Sequence, residues 1–381
     1  MRRGTIPLGR LFGIPIGLDY SWFLIFVLLT WSLATSYFPA RFSGWSAELY
    51  WSLGALTTVI LFVSVLLHEL GHALTAMAFR IPVRRIRLMI FGGVAEMGDE
   101  SPNAGAEFAV AIAGPVVSLL VAAAAGAGWL ALRSAGVFAP AMAVLGYMGL
   151  ANAMLAGFNM IPGFPLDGGR VLRAVLWGAT QNMGRATRIA GNIGRIIGFG
   201  FIGLGLVEVF LLGNLTNGLW TGFIGMFLQG AASAEMQAQH IRDMLAGRTV
   251  SQVMNPNFTT LPGYLTVQQV IDAHILGSGR RVFVVTDGDR VLGLLSLSSV
   301  SKLPIEARAV TPVSEVMLPL DRIGAVAPDT ELWAALRRME AEQLGVLPVL
   351  ENGHFRGMLR REDVFSFVRT LNMLGSQYVR S

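Results

Sequence analysis

The chain has no cysteine and little charge. Without cysteine there is no disulfide framework and no thiolate metal site, so a transition metal would have to be held by imidazoles and carboxylates. Only five histidines are available for that purpose. Charged residues make up 14% of the 381 residues and hydrophobic ones 53%, with a mean hydropathy of +0.57. This is the composition of a membrane protein. Met1-Arg2-Arg3-Gly4 precedes a long apolar segment with no small-residue cleavage site close behind it. That pattern reads as an uncleaved first span, not a signal peptide. The net charge of +5 is unevenly placed: residues 1–236 hold fourteen arginines against ten acids, whereas 237–381 are nearly balanced. The basic excess belongs to the apolar part, where it reports topology, and no nucleic-acid partner is expected.

Six segments are long enough to cross a bilayer, near 17–38, 50–79, 107–132, 140–162, 189–212 and 216–235. Tyr20, Trp22, Trp31, Trp51, Trp129, Tyr147 and Trp220 fall within them, several near span ends as an aromatic belt requires. With the N-terminus inside, twelve arginines lie on the inner side and only Arg41 and Arg133 on the outer side. This asymmetry predicts a cytoplasmic N-terminus, an even number of spans and a cytoplasmic tail. The stretch Val83–Met97, broken at Phe91-Gly92-Gly93, reads as a short β-hairpin or extended loop on the inner face.

Inside the second apolar run stands His68-Glu69-Leu70-Gly71-His72. An ionisable side chain in hydrocarbon costs about 2.5 kcal/mol or more unless it is paired or bound. At helical spacing His68 and His72 share one face and can reach one metal ion, while Glu69 is rotated off that line and is free to act as a base. A metal centre with an open position needs a third protein ligand. His240, His274 and His354 lie in the tail, so that ligand is expected to be a carboxylate of the membrane part. Most acids there sit at segment ends or in loops; Asp167 and Glu208 stand near apolar sequence. Asp167 follows the uncharged stretch 134–166, in a segment broken by Pro162, Gly163, Pro165, Gly168 and Gly169. A broken helix at membrane depth is tolerated where it faces protein or a wet cavity, and Asp167 lies at the same inner depth as the histidines. Asp167 is therefore the expected third ligand. Glu208 either pairs with a polar group elsewhere or lies near the outer interface, and it is given no chemistry.

Residues 237–381 change character. Val250-Ser251-Gln252-Val253-Met254 returns as Val313-Ser314-Glu315-Val316-Met317, and the strand pattern at 281–296 returns near 345–360, an offset of about 63–65 residues. Each copy reads helix, strand, tight Asp287-Gly288 or Asn352-Gly353 turn, strand, helix. Two units this small are expected to complete one core together. The expected organisation is a membrane domain over 1–236, a linker over 237–248, repeats over 249–309 and 310–372, and a tail over 373–381.

The His68–His72 motif, with Asn159-Met160-Ile161-Pro162 and Pro165-Leu166-Asp167-Gly168-Gly169, resembles the site-2 protease family of intramembrane zinc metalloproteases, and the tail resembles a tandem pair of CBS domains. Gly92-Gly93 and Ala113-Gly114-Pro115 also fit the family. The resemblance implies a polytopic α-helical membrane domain followed by a cytoplasmic α/β CBS module. It implies one Zn2+ on His68, His72 and Asp167, with Glu69 as the general base of peptide hydrolysis. Asn159 is the candidate to hydrogen-bond the developing oxyanion, with helix packing as the alternative role. The implied substrate is a transmembrane protein, of the anti-sigma-factor or membrane-tethered transcription-regulator type. An unwound substrate strand could pair with the Val83–Met97 segment. CBS pairs of this kind bind adenine nucleotides and dimerise. Their ribose-binding aspartate has a counterpart in Asp363, but Arg360 stands where Ser or Thr is usual, and in the first repeat Ser299 replaces the aspartate. Two readings compete with the protease: a CBS-regulated transporter or channel, whose polar residues would line an ion path, and a non-catalytic membrane scaffold.

Overall fold

A computed structural model describes residues 5–90, 92–98, 101–135, 139–276, 282–288, 290–342 and 344–374. Arg2, Arg3, Phe91, Arg281 and the tail residues 375–381 lie outside the described residues. The chain divides into two compact units, Met1–Gln239 and His240–Ser381.

The first unit begins with strands β1 (Thr5–Leu11) and β2 (Ile14–Asp19), then helices α1 (Ser21–Ser32) and α2 (Phe38–Arg41), joined by a π-helical turn over Leu33–Tyr37. It continues with α3 (Ala47–Ala78), β3 (Val83–Met89), β4 (Gly92–Met97), α4 (Ala104–Ala135), α5 (Ala139–Asn159), α6 (Asp167–Thr180), α7 (Met183–Phe210) and α8 (Leu215–Leu245). Among the described residues, five helical stretches are long and apolar enough to cross a membrane: Ser21–Arg41, α3, α4, α5 and α7. The segment expected at 216–235 lies within α8 but falls short of that standard, since Thr216, Asn217, Thr221, Gln229 and four glycines dilute its apolar side chains.

The four strands form one sheet in the order β1-β2-β3-β4. β1 pairs β2 and β3 pairs β4 antiparallel, whereas β2 and β3 run parallel with Ile16 opposite Ile86. The hairpin expected at 83–97 is thus present, as half of a larger sheet. Its partner corrects the first span: Ile14, Ile16 and Leu18 alternate into the interior of a strand, and the helix starts only at Ser21. The apolar run that reads as one span from residue 17 is therefore two elements. The joint is fixed by Asp19, whose carboxylate accepts from Ser21 N–H at 3.0 Å and Ser21 Oγ at 2.8 Å. Ile14 and Ile86 pack with Leu70 and Ala73, seating the sheet against the motif turn of α3.

The second unit repeats as expected. β6 (Val282–Asp287) pairs β7 (Arg290–Ser296) antiparallel, flanked by β5 (Thr260–Pro262) and β8 (Leu318–Pro319). In the second copy β9 (Val346–Glu351) pairs β10 (His354–Arg360). The turns use Gly288 at φ 57° and Asn352-Gly353 at φ 52° and 82°, the left-handed values a tight hairpin demands. One buried cluster joins Val250, Val284 and Leu294 of the first copy to Leu336, Leu347, Val349 and Leu359 of the second, so the copies do complete one core.

Candidate metal centre

Two helices bring the expected ligands together. α3 presents His68 and His72 one turn apart, both 4% exposed. α6 begins at Asp167, directly after the broken segment Met160–Leu166. The Nε2 atoms of the two histidines and Oδ2 of Asp167 form a triangle with all three sides 3.2 Å. Ligand atoms about 2.0–2.1 Å from a tetrahedral zinc ion stand about 3.3 Å apart, so the triangle has the size of a zinc face. Among the described residues this is the one group of His, Asp and Glu side chains that could hold a metal.

α4 orients the imidazoles. The carbonyl of Val110 can only accept, so at 2.7 Å it draws the proton of neutral His72 onto Nδ1 and leaves the Nε2 lone pair facing the triangle. That lone pair meets Asp167 Oδ2, a second acceptor, and the pair of acceptors calls for a cation. Nδ1 of His68 lies 2.9 Å from Ser118 Oγ, which is fully buried. Between these two supports stands Gly114. A Cβ there would lie 2.2 Å from His72 Nε2 and 2.6 Å from His68 Nε2. The cradle thus needs a residue without a side chain, and this is the physical content of Ala113-Gly114-Pro115.

Glu69 is turned away from the triangle toward β4. Its Oε2 accepts from Ala95 N–H at 3.1 Å, and a Cβ on Gly93 would strike its Cγ at 2.3 Å. Gly93 therefore makes the room in which the Glu69 side chain lies. Gly168 and Gly169 fold the start of α6 tightly onto the loop 160–164: a Cβ at Gly168 would stand 2.4 Å from the Met160 carbonyl.

The remaining expected residues fall elsewhere. Asn159 is half-buried and is the last residue of α5, with no side-chain hydrogen bond to another described residue. Glu208 of α7 accepts from Thr221 Oγ1 of α8 at 2.9 Å, the pairing that was one of its two expected fates. In the second unit a cleft of about 920 Å³ between the repeats is lined by Asn255, Thr259, Ser296, Arg360 and Glu362 among others. Asp363 is gripped by Arg360 through two bonds of 2.9 and 2.7 Å, a bidentate pair between the last residue of β10 and the first turn of the helix Arg361–Leu374. Val110, Ser118 and Glu107, which shape or surround the site from α4, carry no motif of their own in the sequence. The helical spacing of the buried polar positions Glu107 and Ser118 along an otherwise apolar run was the available signal.

The model of Peptidase family M50 matches residues 56–139 and 130–201, and that of the CBS domain matches 250–306 and 313–370. A Mycobacterium tuberculosis protein named zinc metalloprotease Rip3 is 38% identical over 340 residues, covering 88% of this chain and 86% of its own length. A Synechocystis protein, also named a zinc metalloprotease, is 33% identical over 375 residues and covers 96% of both chains. The solved structure of a site-2 protease from Methanocaldococcus jannaschii is 30% identical, covering 61% of this chain and 95% of its own, with a TM-score of 0.42. The M50 family model and the two relatives named as zinc metalloproteases decide against the transporter and scaffold readings. The chain belongs to peptidase family M50, the site-2 protease family of intramembrane zinc metalloproteases, and carries a tandem CBS pair.

Proposed function

We propose that this multi-pass membrane protein hydrolyses peptide bonds of transmembrane substrates at a zinc centre held by His68, His72 and Asp167. The observation that carries the reading is the 3.2 Å convergence of two imidazole nitrogens and one carboxylate oxygen, with Glu69 next to them in sequence. A zinc ion there supplies a Lewis acid and lowers the pKa of water. Glu69 takes the proton of the attacking water and delivers it to the leaving amine. To do so its carboxylate leaves the Ala95 N–H. Asn159, at the end of α5, donates a hydrogen bond to the carbonyl oxygen as it gains charge. A transmembrane helix hides its carbonyls, so the substrate unwinds locally, and its strand adds to the β4 side of the sheet, beside Glu69.

The arginine asymmetry supports a cell-membrane protein with its N-terminus and CBS pair in the cytoplasm and α8 as a sixth span. The domain limits we adopt are 1–236 for the protease, 237–248 for a linker, 249–309 and 310–372 for the CBS domains and 373–381 for a tail. Substrates are membrane-tethered transcription regulators or anti-sigma factors, cleaved in regulated intramembrane proteolysis. The CBS pair mediates a homodimer and modulates cleavage by binding an adenine nucleotide in the cleft between its repeats, where Arg360 must first release Asp363 to the ribose. The test is Glu69→Gln in native membranes. The variant should retain zinc, cleave nothing and accumulate uncut transmembrane proteins bound to it. Continued cleavage of any membrane substrate by this variant would refute the mechanism.

A further inference from the structure

One buried charge cluster plays no part in the chemistry above. Glu107, in the first turn of α4, is 1% exposed. Its Oε1 accepts from Arg170 Nε at 3.2 Å and from the Arg173 guanidinium, and its Oε2 accepts from Ser101 Oγ. Both arginines belong to α6, the helix that starts with Asp167. Arg173 also reaches Glu235 of α8 at 3.3 Å and lies over the ring of Phe164, in the loop that leads into Asp167, at 5.1 Å. Taking two guanidiniums and a carboxylate out of water costs several kcal/mol per ion before pairing repays it. An apolar contact would join two helices at lower cost.

The place of Glu107 on α4 gives the cluster a meaning. Glu107, Val110, Gly114 and Ser118 follow one another at intervals of three, four and four residues, so they share one face of the helix. Val110 fixes His72, Ser118 fixes His68, and Gly114 leaves the space between their Nε2 atoms. We propose that Glu107 completes this face as a positioning residue: through Arg170 and Arg173 it sets the rotation and depth of α6, so that Asp167 meets the two histidines. One helix face then registers all three ligands. Glu107 has a second effect through charge. Arg170 stands three residues after Asp167, the spacing at which an acid and an arginine pair on a helix. While Glu107 holds Arg170, the Asp167 carboxylate is left for the metal. Without Glu107, Arg170 turns to Asp167 and competes with it.

The inference rests on the ligand set proposed above, and a double-mutant cycle separates the two. Zinc affinity is measured by competition with a fluorescent chelator on the full-length chain in nanodiscs, for wild type, Glu107→Gln, Asp167→Ala and the double variant. Glu107→Gln should weaken zinc binding at least tenfold, the scale seen when a group behind a ligand is lost. In the Asp167→Ala background the same substitution should change the already weak affinity by less than twofold, since the residue it positions is gone. A merely structural clamp would lower affinity equally in both backgrounds, and that result, or an unchanged affinity in Glu107→Gln, overturns the proposal. If Glu107→Gln does not fold, Arg173→Lys, which keeps the charge and loses the fork, goes through the same cycle with the same expectations. If Asp167→Ala binds zinc as tightly as wild type, the ligand set fails instead.

Discussion

The membrane unit and the CBS unit bury different kinds of side chain. Among the described residues, every buried polar or charged side chain lies in the first unit, from Thr30 to Thr187, and the set includes His68, His72, Glu107, Ser118 and Arg173. The two core clusters of the second unit are built from Val, Leu, Ile, Met, Ala and Phe. The CBS core follows the rule for soluble proteins, in which water drives apolar groups together at about 25 cal/mol per Å². In the membrane unit lipid is as apolar as leucine, so apolar burial distinguishes inside from outside poorly. Polar side chains there are costly unless they are partnered. A buried ionisable side chain in the first unit (His68, His72, Glu107, Arg173) therefore marks the metal centre or the charge cluster beside it, while a buried leucine in the second marks only a core.

That contrast can be broken or sharpened by substitution. The largest effect is expected from His72→Ala, which removes a ligand: zinc content after dialysis should fall from one per chain to near zero, with no cleavage detectable. Gly114→Ala should follow closely, although it deletes nothing. The added methyl would stand 2.2 Å from His72 Nε2, and zinc affinity, read by chelator competition, should drop on the order of a hundredfold. Ser118→Ala leaves all three ligands but frees the His68 ring, so about a tenfold loss of affinity is expected in the same assay. In the second unit, Leu347→Ala opens a cavity in the shared core. It should destabilise that unit by about 2–5 kcal/mol in denaturant unfolding while zinc content stays at one per chain. The smallest effect is expected from Arg360→Ser, which releases Asp363 from its bidentate pair. Binding of ATP measured by calorimetry should tighten severalfold, with the core unchanged.

The same contrast explains what could be read from the chain alone. His68, Glu69, His72 and Asp167 stood out because charge inside apolar sequence is conspicuous, and the absence of cysteine with three of five histidines in the tail pushed the third ligand onto a carboxylate. The CBS repeats were legible through their strand alternation and their Asp-Gly and Asn-Gly turns. The first sheet was only half legible. Ile14, Ile16 and Leu18 alternate, but they run into the apolar helix behind them; their near partner is β1, across the turn at Phe12-Gly13, and their parallel partner lies seventy residues away at Ile86. α6 was hidden because Arg170 and Arg173 make Asp167–Thr180 too polar to read as a span, and their partner Glu107 is sixty residues distant. Val110 was invisible in principle, since it acts through a backbone carbonyl that any residue would supply.

The most direct test of the central claim is zinc X-ray absorption on the purified full-length chain, wild type beside Asp167→Ala. The account predicts one zinc per chain in the wild type, coordinated by two imidazole nitrogens and oxygen at about 2.0–2.1 Å, and loss of that signal in the variant. Zinc retained with unchanged coordination in Asp167→Ala, or a wild-type spectrum without two imidazoles, would contradict it.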